Sequence, residues 1–401
     1  MRLIQTVIIV FLQHLCCQAN IIPHSNHSEY SLFEKLFPEE NDYNSVVRPK
    51  IGNKEPVLVN VSVNLIAIHS LMETRQTLRS TVWIDLQWLD LKLAWNKTEF
   101  GNISSIIVPQ KNVWIPDICV ANEVSDNKCS IGSRFGKVLV EYRGMVTIWW
   151  NKEIQTRCDL DISMYPFDNQ KCSIRIGTLY SEDENLLLGQ LSETVDLSNY
   201  AHNEEWKIIH SFTKKKKLEH EKSFTEIEFT IVMKRQPFFH ICNTILPILM
   251  LSVLNMVCFL VPIESGEKIN MTMAIFLTFA VLMTIISETV PKSGEKIFVF
   301  GICMTMHLLI SGITIVLEVF VINIYHTPGN TKMNVLHLWM LKILAVKDDI
   351  AKEIDSILET EEKQMDSWKR LATELDRVFG YTVAVINSVT IIAFFVAVNT
   401  Q

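Results

Sequence analysis

Seven residues recur at steps of three and four through one apolar stretch: Glu267, Asn270, Ala274, Leu277, Val281, Thr284 and Glu288. On a helix this spacing puts them on one face. The face begins and ends with a carboxylate, and between them lie an amide, a small residue, two apolar residues and a hydroxyl. Such a set makes and breaks no covalent bond. Repeated around an axis, its two acidic rings would concentrate cations and repel anions. Rings of Leu277 and Val281 would close the passage by dewetting, while Asn270 and Thr284 would offer hydrogen bonds to partly hydrated ions. On a lone helix the same carboxylates could simply mark the two membrane interfaces, and that alternative stays open.

Nothing else in the chain points to bond-making chemistry. No nucleophile elbow, phosphate-binding glycine loop or metal-ligand cluster is visible in the sequence, so no catalytic residue, cofactor or metal is expected and an enzyme is not the expected class. His240 and His307 lie in apolar runs, where packing or hydrogen bonding is the expected role. A net charge of -7 gives no nucleic-acid surface.

The stripe needs membrane-spanning elements, and the sequence supplies four candidates. Phe238 to Val261 is apolar around His240, and Ile269 to Ile286 has no charged residue. Ile297 to Ile324 carries only His307 and Glu318, and Tyr381 to Val398 is again uncharged. Each is long enough to span hydrocarbon. A buried helical core is the alternative, but a hydrophobic content of 48% and a mean hydropathy of +0.20 suit a chain partly in lipid. Pro247 in the first span marks a kink or a flexible point.

Residues 20–236 read differently. Val57, Val59, Val61, Val63 and Leu65 alternate with polar or small residues, and so do Ile227, Phe229 and Ile231. Short alternating runs punctuated by Gly, Pro, Asn and Asp indicate an all-β sandwich. Arg2 followed by the apolar run Leu3 to Leu12 and a small residue at Ala19 reads as a secretory signal, with an uncleaved anchor as the alternative. The sandwich is then outside the cell. Of nine cysteines, Cys119, Cys129, Cys158 and Cys172 fall in this exported region, an even count that suggests two disulfides. Cys242, Cys258 and Cys303 sit in apolar runs as packing residues. Asn26, Asn60, Asn96 and Asn102 each open a glycosylation sequon.

The expected division is a signal peptide at 1–19, the extracellular sandwich at 20–236, and helices one to three at 237–325 with the pore helix at 268–288. A cytoplasmic loop follows at 326–379, and the fourth helix with a short extracellular tail at 380–401. Ile350, Ile354, Leu358, Met365, Trp368, Leu371, Leu375 and Val378 give the loop an amphipathic helix.

Several motifs resemble the Cys-loop pentameric ligand-gated ion channel family. Cys158 and Cys172 enclose thirteen residues containing Tyr165-Pro166-Phe167-Asp168, similar to the family's signature loop. Trp83-Ile84-Asp85-Leu86-Gln87-Trp88, with Asp90, Leu93 and Trp95 after it, resembles the second-strand motif. Trp114-Ile115-Pro116-Asp117 resembles the Trp-x-Pro-Asp element, and Met233-Lys234-Arg235-Gln236-Pro237 the junction before the first span. Ser265-Gly266-Glu267-Lys268-Ile269 is similar to the pore entry of cation-selective, nicotinic acetylcholine receptor-like subunits. The resemblance implies a Cys158–Cys172 disulfide, a candidate cis Pro166, and a homo- or heteropentamer of sandwiches over a helical bundle. It also implies that agonist binds between neighbouring sandwiches. Glu73 and Arg235 would form a coupling ion pair, with Phe167 and Pro291 at the same junction. A plain surface salt bridge is the alternative for that pair. Cys119 and Cys129 would form an additional disulfide, or remain free thiols.

The family's aromatic cage for a quaternary ammonium is largely missing. Ala121 and Leu179 stand where aromatics are expected, although Tyr180 is adjacent to Leu179, and only Phe224 falls near an expected tyrosine. The adjacent-cysteine pair is absent, and Lys214-Lys215-Lys216-Lys217 occupies that hairpin. On the complementary face Trp83, Met145, Thr147 and Trp149 match better, with a core role as the alternative for Trp83. The expected function is therefore a non-α-like subunit of a cation-selective, neurotransmitter-gated channel, giving the complementary face in a heteropentamer. The alternatives are a homopentamer gated by another ligand, and a modulatory or assembly subunit that does not bind acetylcholine. Expected partners are other pentameric channel subunits (copies of itself or α-type), a small-molecule agonist, membrane lipid and permeating monovalent cations, with divalent cations as further candidates. The expected location is the plasma membrane, multi-pass, both termini outside, with a synapse as one option.

Overall fold

The computed structural model describes residues 29–38, 43–49, 55–125, 136–219, 223–290, 297–328 and 361–399. A short helix, α1 (Glu29–Leu36), precedes the strands and seats Leu32 and Leu36 in the core, an element the strand-like reading of this region did not include. Ten strands follow. β1 (Val57–Met72), β2 (Thr77–Leu89), β3 (Ser105–Pro109), β5 (Lys137–Glu141), β6 (Met145–Arg157) and β8 (Leu186–Gln190) form one sheet in the order β3-β5-β6-β2-β1-β8. β4 (Ile118–Val120), β7 (Asn169–Thr178), β9 (Trp206–Glu219) and β10 (Ser223–Arg235) form the other in the order β4-β7-β10-β9.

Period-two alternation decides which way each strand faces. Val57, Val59, Val61, Val63 and Leu65 of β1 are all at most 1% exposed, and Ile227, Phe229, Ile231 and Met233 of β10 meet them across the core at 0%. Each such side chain contributes about 1.5–3 kcal/mol by leaving water. A one-residue slip would turn the whole set outward, so the pattern also fixes the register. The β5–β6 turn holds Gly144 at φ +83, and a Cβ there would come within 2.3 Å of the Asp90 carbonyl oxygen. Only glycine fits this approach, which lets the Asp90 N–H donate to Gly144 O at 2.8 Å.

Beyond Arg235 the periodicity changes to helical. α2 (Phe238–Leu260), α3 (Lys268–Thr289), α4 (Val299–Tyr325) and α5 (Glu361–Asn399) each contain a stretch long and apolar enough to cross a membrane. Within α2 a π-helical turn, Ile241–Ile245, lies just before Pro247. Proline cannot donate and its ring crowds the carbonyl four residues back, and the wider turn accommodates both. The expected boundary between the amphipathic helix and the fourth span, at 379/380, falls inside the single helix α5, which is continuous through both. Trp368, Leu371 and Leu375 of the expected amphipathic face do pack, against Val321 and Ile324 of α4, so the face continues into the bundle without a break. Ile350, Ile354, Leu358 and the signal segment 1–19 lie outside the described residues.

Candidate functional site

α3 is two-faced in a way its sequence alone does not settle, since nearly all its residues are apolar. Lys268, Thr272, Ile275, Phe279 and Ile286 are buried against the other helices. Glu267, Asn270, Ala274, Leu277, Val281, Thr284 and Glu288 are all exposed, Leu277 and Val281 at 58% each. The stripe thus faces away from the subunit's own bundle. Glu267 accepts a hydrogen bond from Asn270 Nδ2 at 3.1 Å, which ties the carboxylate and the amide together at the helix start. Thr284 Oγ1 donates to the Ala280 carbonyl at 3.0 Å, leaving its oxygen facing outward as an acceptor.

The second cluster lies where the sandwich meets the helices. Cys158, just past β6, is bonded to Cys172 on β7, so the disulfide ties the two sheets together. The loop it closes carries Tyr165 on a cis Tyr165–Pro166 bond. Tyr165 leaves the sandwich core altogether and packs with Phe298 and Phe300, its hydroxyl 2.8 Å from His240 Nδ1. His240 is therefore hydrogen-bonded to the loop. Burial pushes the Tyr165 phenol up to about 12, against the opposing pull of Arg235.

Behind this loop Arg235, at the end of β10, is 1% exposed, which removes the surface-salt-bridge reading. Its guanidinium lies between two rings, 4.4 Å from Trp206 and 5.1 Å from Tyr165. Arg235 Nη1 donates to Glu73 Oε1 at 2.9 Å and, more weakly, to Glu205 Oε1 at 3.4 Å. Nε and Nη2 reach the two oxygens of Asp168 at 2.9 and 3.3 Å. Burial alone would lower the Arg235 pKa, but the pairing with Asp168 and Glu73 outweighs it and holds the cation firmly charged. Glu205 is pushed up by burial, with Arg235 pulling the other way, because Glu73 and Asp168 already share the same cation.

Sequence reasoning found Glu73 and Arg235 but missed Asp168, Glu205, Tyr165 and Trp206 as their companions. Asp168 sits in the signature loop and Trp206 directly follows Glu205, yet nothing in linear spacing joins them to Arg235. Phe167 packs partly buried beside Val299, and Pro291 lies outside the described residues.

The candidate ligand face is less uniform. Trp83 and Trp149 are 39% and 54% exposed on neighbouring strands, so Trp83 is not a core residue. Asp85 lies between them in the register, opposite both Ser62 and Trp149. Met145 is half-buried, but Thr147 is only 4% exposed and is covered within this subunit, contrary to its expected place on the surface. On the other side Tyr180 is 81% exposed, and its backbone is fixed by Asp117. That carboxylate accepts from Tyr180 N at 2.8 Å, Ser181 N at 2.9 Å and Ser181 Oγ at 2.6 Å. Phe224 is half-buried opposite Leu218, and the four lysines run along exposed β9. Lys216 is paired with Glu228 at 2.6 Å, and Lys214 lies over Phe212. Cys119 is disulfide-bonded; Cys129, its expected partner, lies outside the described residues, as does Asn26. Asn96 and Asn102 are exposed on loops, whereas Asn60 is half-buried in β1 with its amide over Gly189.

Comparison with known proteins agrees with this architecture. Residues 29–237 match the neurotransmitter-gated ion-channel ligand binding domain, and residues 244–348 the neurotransmitter-gated ion-channel transmembrane region. The chain is 30% identical over 309 residues to neuronal acetylcholine receptor subunit alpha-2 of Mus musculus, covering 76% of this chain and 59% of that subunit. It is 30% identical over 311 residues to subunit alpha-6 of Mus musculus and 29% over 318 residues to subunit alpha-3 of Homo sapiens. Those alignments cover 76% and 78% of this chain and 62% of each relative, so the match spans about three fifths of the relatives' length. With the two matched regions following one another as sandwich and helices, the chain belongs to the neurotransmitter-gated ion-channel family, in its nicotinic acetylcholine receptor-like branch.

Proposed function

We propose that this chain is a pore-lining subunit of a pentameric, cation-selective channel, with the sandwich outside the cell and both termini on that side. The observation that carries the reading is the exposure of all seven stripe residues while the opposite face of α3 is buried. A hydroxyl, an amide and two carboxylates at lipid-facing positions would be costly in hydrocarbon. Five copies around a water-filled axis remove that cost. Glu267 and Glu288 then set cation preference at the two mouths, and Leu277 and Val281 form the constriction.

Agonist binding at the sandwich interface reaches this helix through the Arg235 cluster. Glu73 comes from the β1–β2 turn, Asp168 from the disulfide loop and Arg235 from the strand that runs into α2, so movement of any one displaces the others. Trp83 and Trp149 with Asp85 between them give a complementary face suited to a cationic ligand. The principal face, with Ala121, Leu179 and the lysine strand, lacks an aromatic cage, which favours a heteropentamer with an α-type subunit supplying it. Asn96 and Asn102 are the better-placed glycosylation acceptors. Expression in oocytes, alone and with an α-type subunit, tests the assignment. Acetylcholine should evoke cation current only from the mixture. Current from this chain alone, or a reversal potential that follows chloride, would overturn it.

A further inference from the structure

β9 is an edge strand of its sheet. On its outer edge Thr213 N–H donates to Glu193 O at 2.8 Å, and past that point Lys214 to Leu218 are all exposed. The register with β10 sorts the four lysines. Leu218 pairs with Phe224, Lys216 with Glu226, Lys214 with Glu228 and Phe212 with Thr230, so these residues share one face. Lys215 and Lys217 pair with Ile227 and Thr225 and lie on the other face. On the Phe224 face Lys216 takes Glu228 at 2.6 Å. Lys214, directly across from that glutamate, rests instead over the Phe212 ring at 5.1 Å. Lys171 of β7 lies 5.2 Å from the same ring. Phenylalanine is a weaker seat for an ammonium than tryptophan, and a second cation at the ring adds repulsion.

The other sheet carries the opposite chemistry. Trp83 and Trp149 are exposed there, with Asp85 across from Trp149. Asp85 Oδ2 accepts from Ser62 Oγ at 3.3 Å and Asn64 Nδ2 at 3.0 Å, which fixes the carboxylate on the strand between the indoles. Asn64 in turn forms an isolated bridge with Asp196, which brings a second acidic residue to this edge. In a ring closed by one repeated interface, what projects from one side of each subunit meets the opposite side of the next. We propose that where two copies of this chain adjoin, the Lys214 ammonium of one seats against Trp83, Trp149 and Asp85 of the next. Tethered at an effective concentration on the order of millimolar, the lysine holds the position that a ligand's ammonium would take. A contact between two copies is then closed to free cationic ligands, whereas one whose principal face comes from an α-type subunit stays open. This seat rests on the complementary-face reading above.

The test uses the full chain expressed alone. Lys214→Cys combined with Asp85→Cys should form an intersubunit disulfide under mild oxidation, read as a dimer band on a non-reducing gel, and neither single variant should. Acetylcholine binding to the Lys214→Gln oligomer should be at least about tenfold tighter than to wild type, and adding Trp83→Ala should cancel the gain. Lys215→Gln removes the same charge from the other face and should leave the affinity unchanged. A missing cross-link, no oligomer of the chain alone, an unmoved affinity in Lys214→Gln, or an equal gain from Lys215→Gln would overturn the seat. Co-expression with an α-type subunit tests the complementary face separately, because there Trp83→Ala should weaken the acetylcholine response. An unchanged response would overturn that reading; a weakened response without the cross-link would overturn the lysine seat alone.

Discussion

Arg235→Gln probes the junction most directly. The wild-type side chain is 1% exposed and faces Asp168 at 2%, Glu73 at 22% and Glu205 at 49%. Removing the cation leaves Glu73 and Glu205 with some access to water, so their share is small. Asp168 has no such access and, among the described residues, keeps only Gln170 as a side-chain donor. Breaking a buried pair from one side costs about 3–5 kcal/mol. Loss of the stacking on Trp206 and Tyr165 is about 0.5–2 kcal/mol by itself. These effects share one guanidinium and do not sum, so about 3–5 kcal/mol is the expected total. For a domain of this size that corresponds to a fall in Tm on the order of 10 °C. Arg235→Lys keeps the charge but not the flat fork that reaches Asp168 and Glu73 at once, and should lose about 1–3 kcal/mol. The assay is thermal denaturation of the solubilised receptor followed by size-exclusion chromatography, with surface biotinylation as a check on assembly. Asp168→Asn should cost little once Arg235 is already Gln. A Tm for Arg235→Gln within about 2 °C of wild type, or single-variant costs that simply add, would refute the argument.

Four further outcomes are expected. Leu277→Ser removes about 2 kcal/mol of apolar transfer per subunit from the constriction, so agonist concentration–response curves should move at least about tenfold to lower concentration; an unmoved curve excludes Leu277 from the gate. Glu267→Gln should reduce single-channel cation conductance and shift the reversal potential in dilution experiments, whereas unchanged permeation places the stripe away from water. Asp117→Ala removes the carboxylate that accepts from three donors of the Tyr180–Ser181 segment and should cost about 1–3 kcal/mol locally, seen as faster amide exchange there with the sheet unaffected. Asp90 is held above the ordinary carboxylate range by burial, despite hydrogen bonds from Tyr43 and Lys92 N. A raised carboxyl favours the fold while protonated, so stability is lost as pH rises through the raised value. Asp90→Asn should remove that part of the pH dependence of Tm, and an identical slope in wild type and variant would count against it.

Much of the framework was legible because it is written in local periodicity. Val57 to Leu65 and Ile227 to Ile231 show their buried faces by alternation, and the four apolar runs announce their helices. The seven-residue stripe on α3 emerged from spacing alone, since residues three and four apart must share a face. The boundary drawn at 379/380, by contrast, falls inside one continuous helix. A change from amphipathic to uniformly apolar composition does not end a helix, and the single glycine there, Gly380, is accommodated within it.

What the sequence determined by itself is the alternation that makes the sandwich, the helical spans, and the presence of a polar stripe along one of them. Which side of α3 is buried depended on tertiary structure, because an apolar helix has no strong preference until neighbours cover one face. The same holds for the grouping of Arg235 with Asp168, Glu205, Tyr165 and Trp206. These charges are far apart along the chain, and their interaction exists only where folding excludes water and lowers the local dielectric enough for them to act on one another.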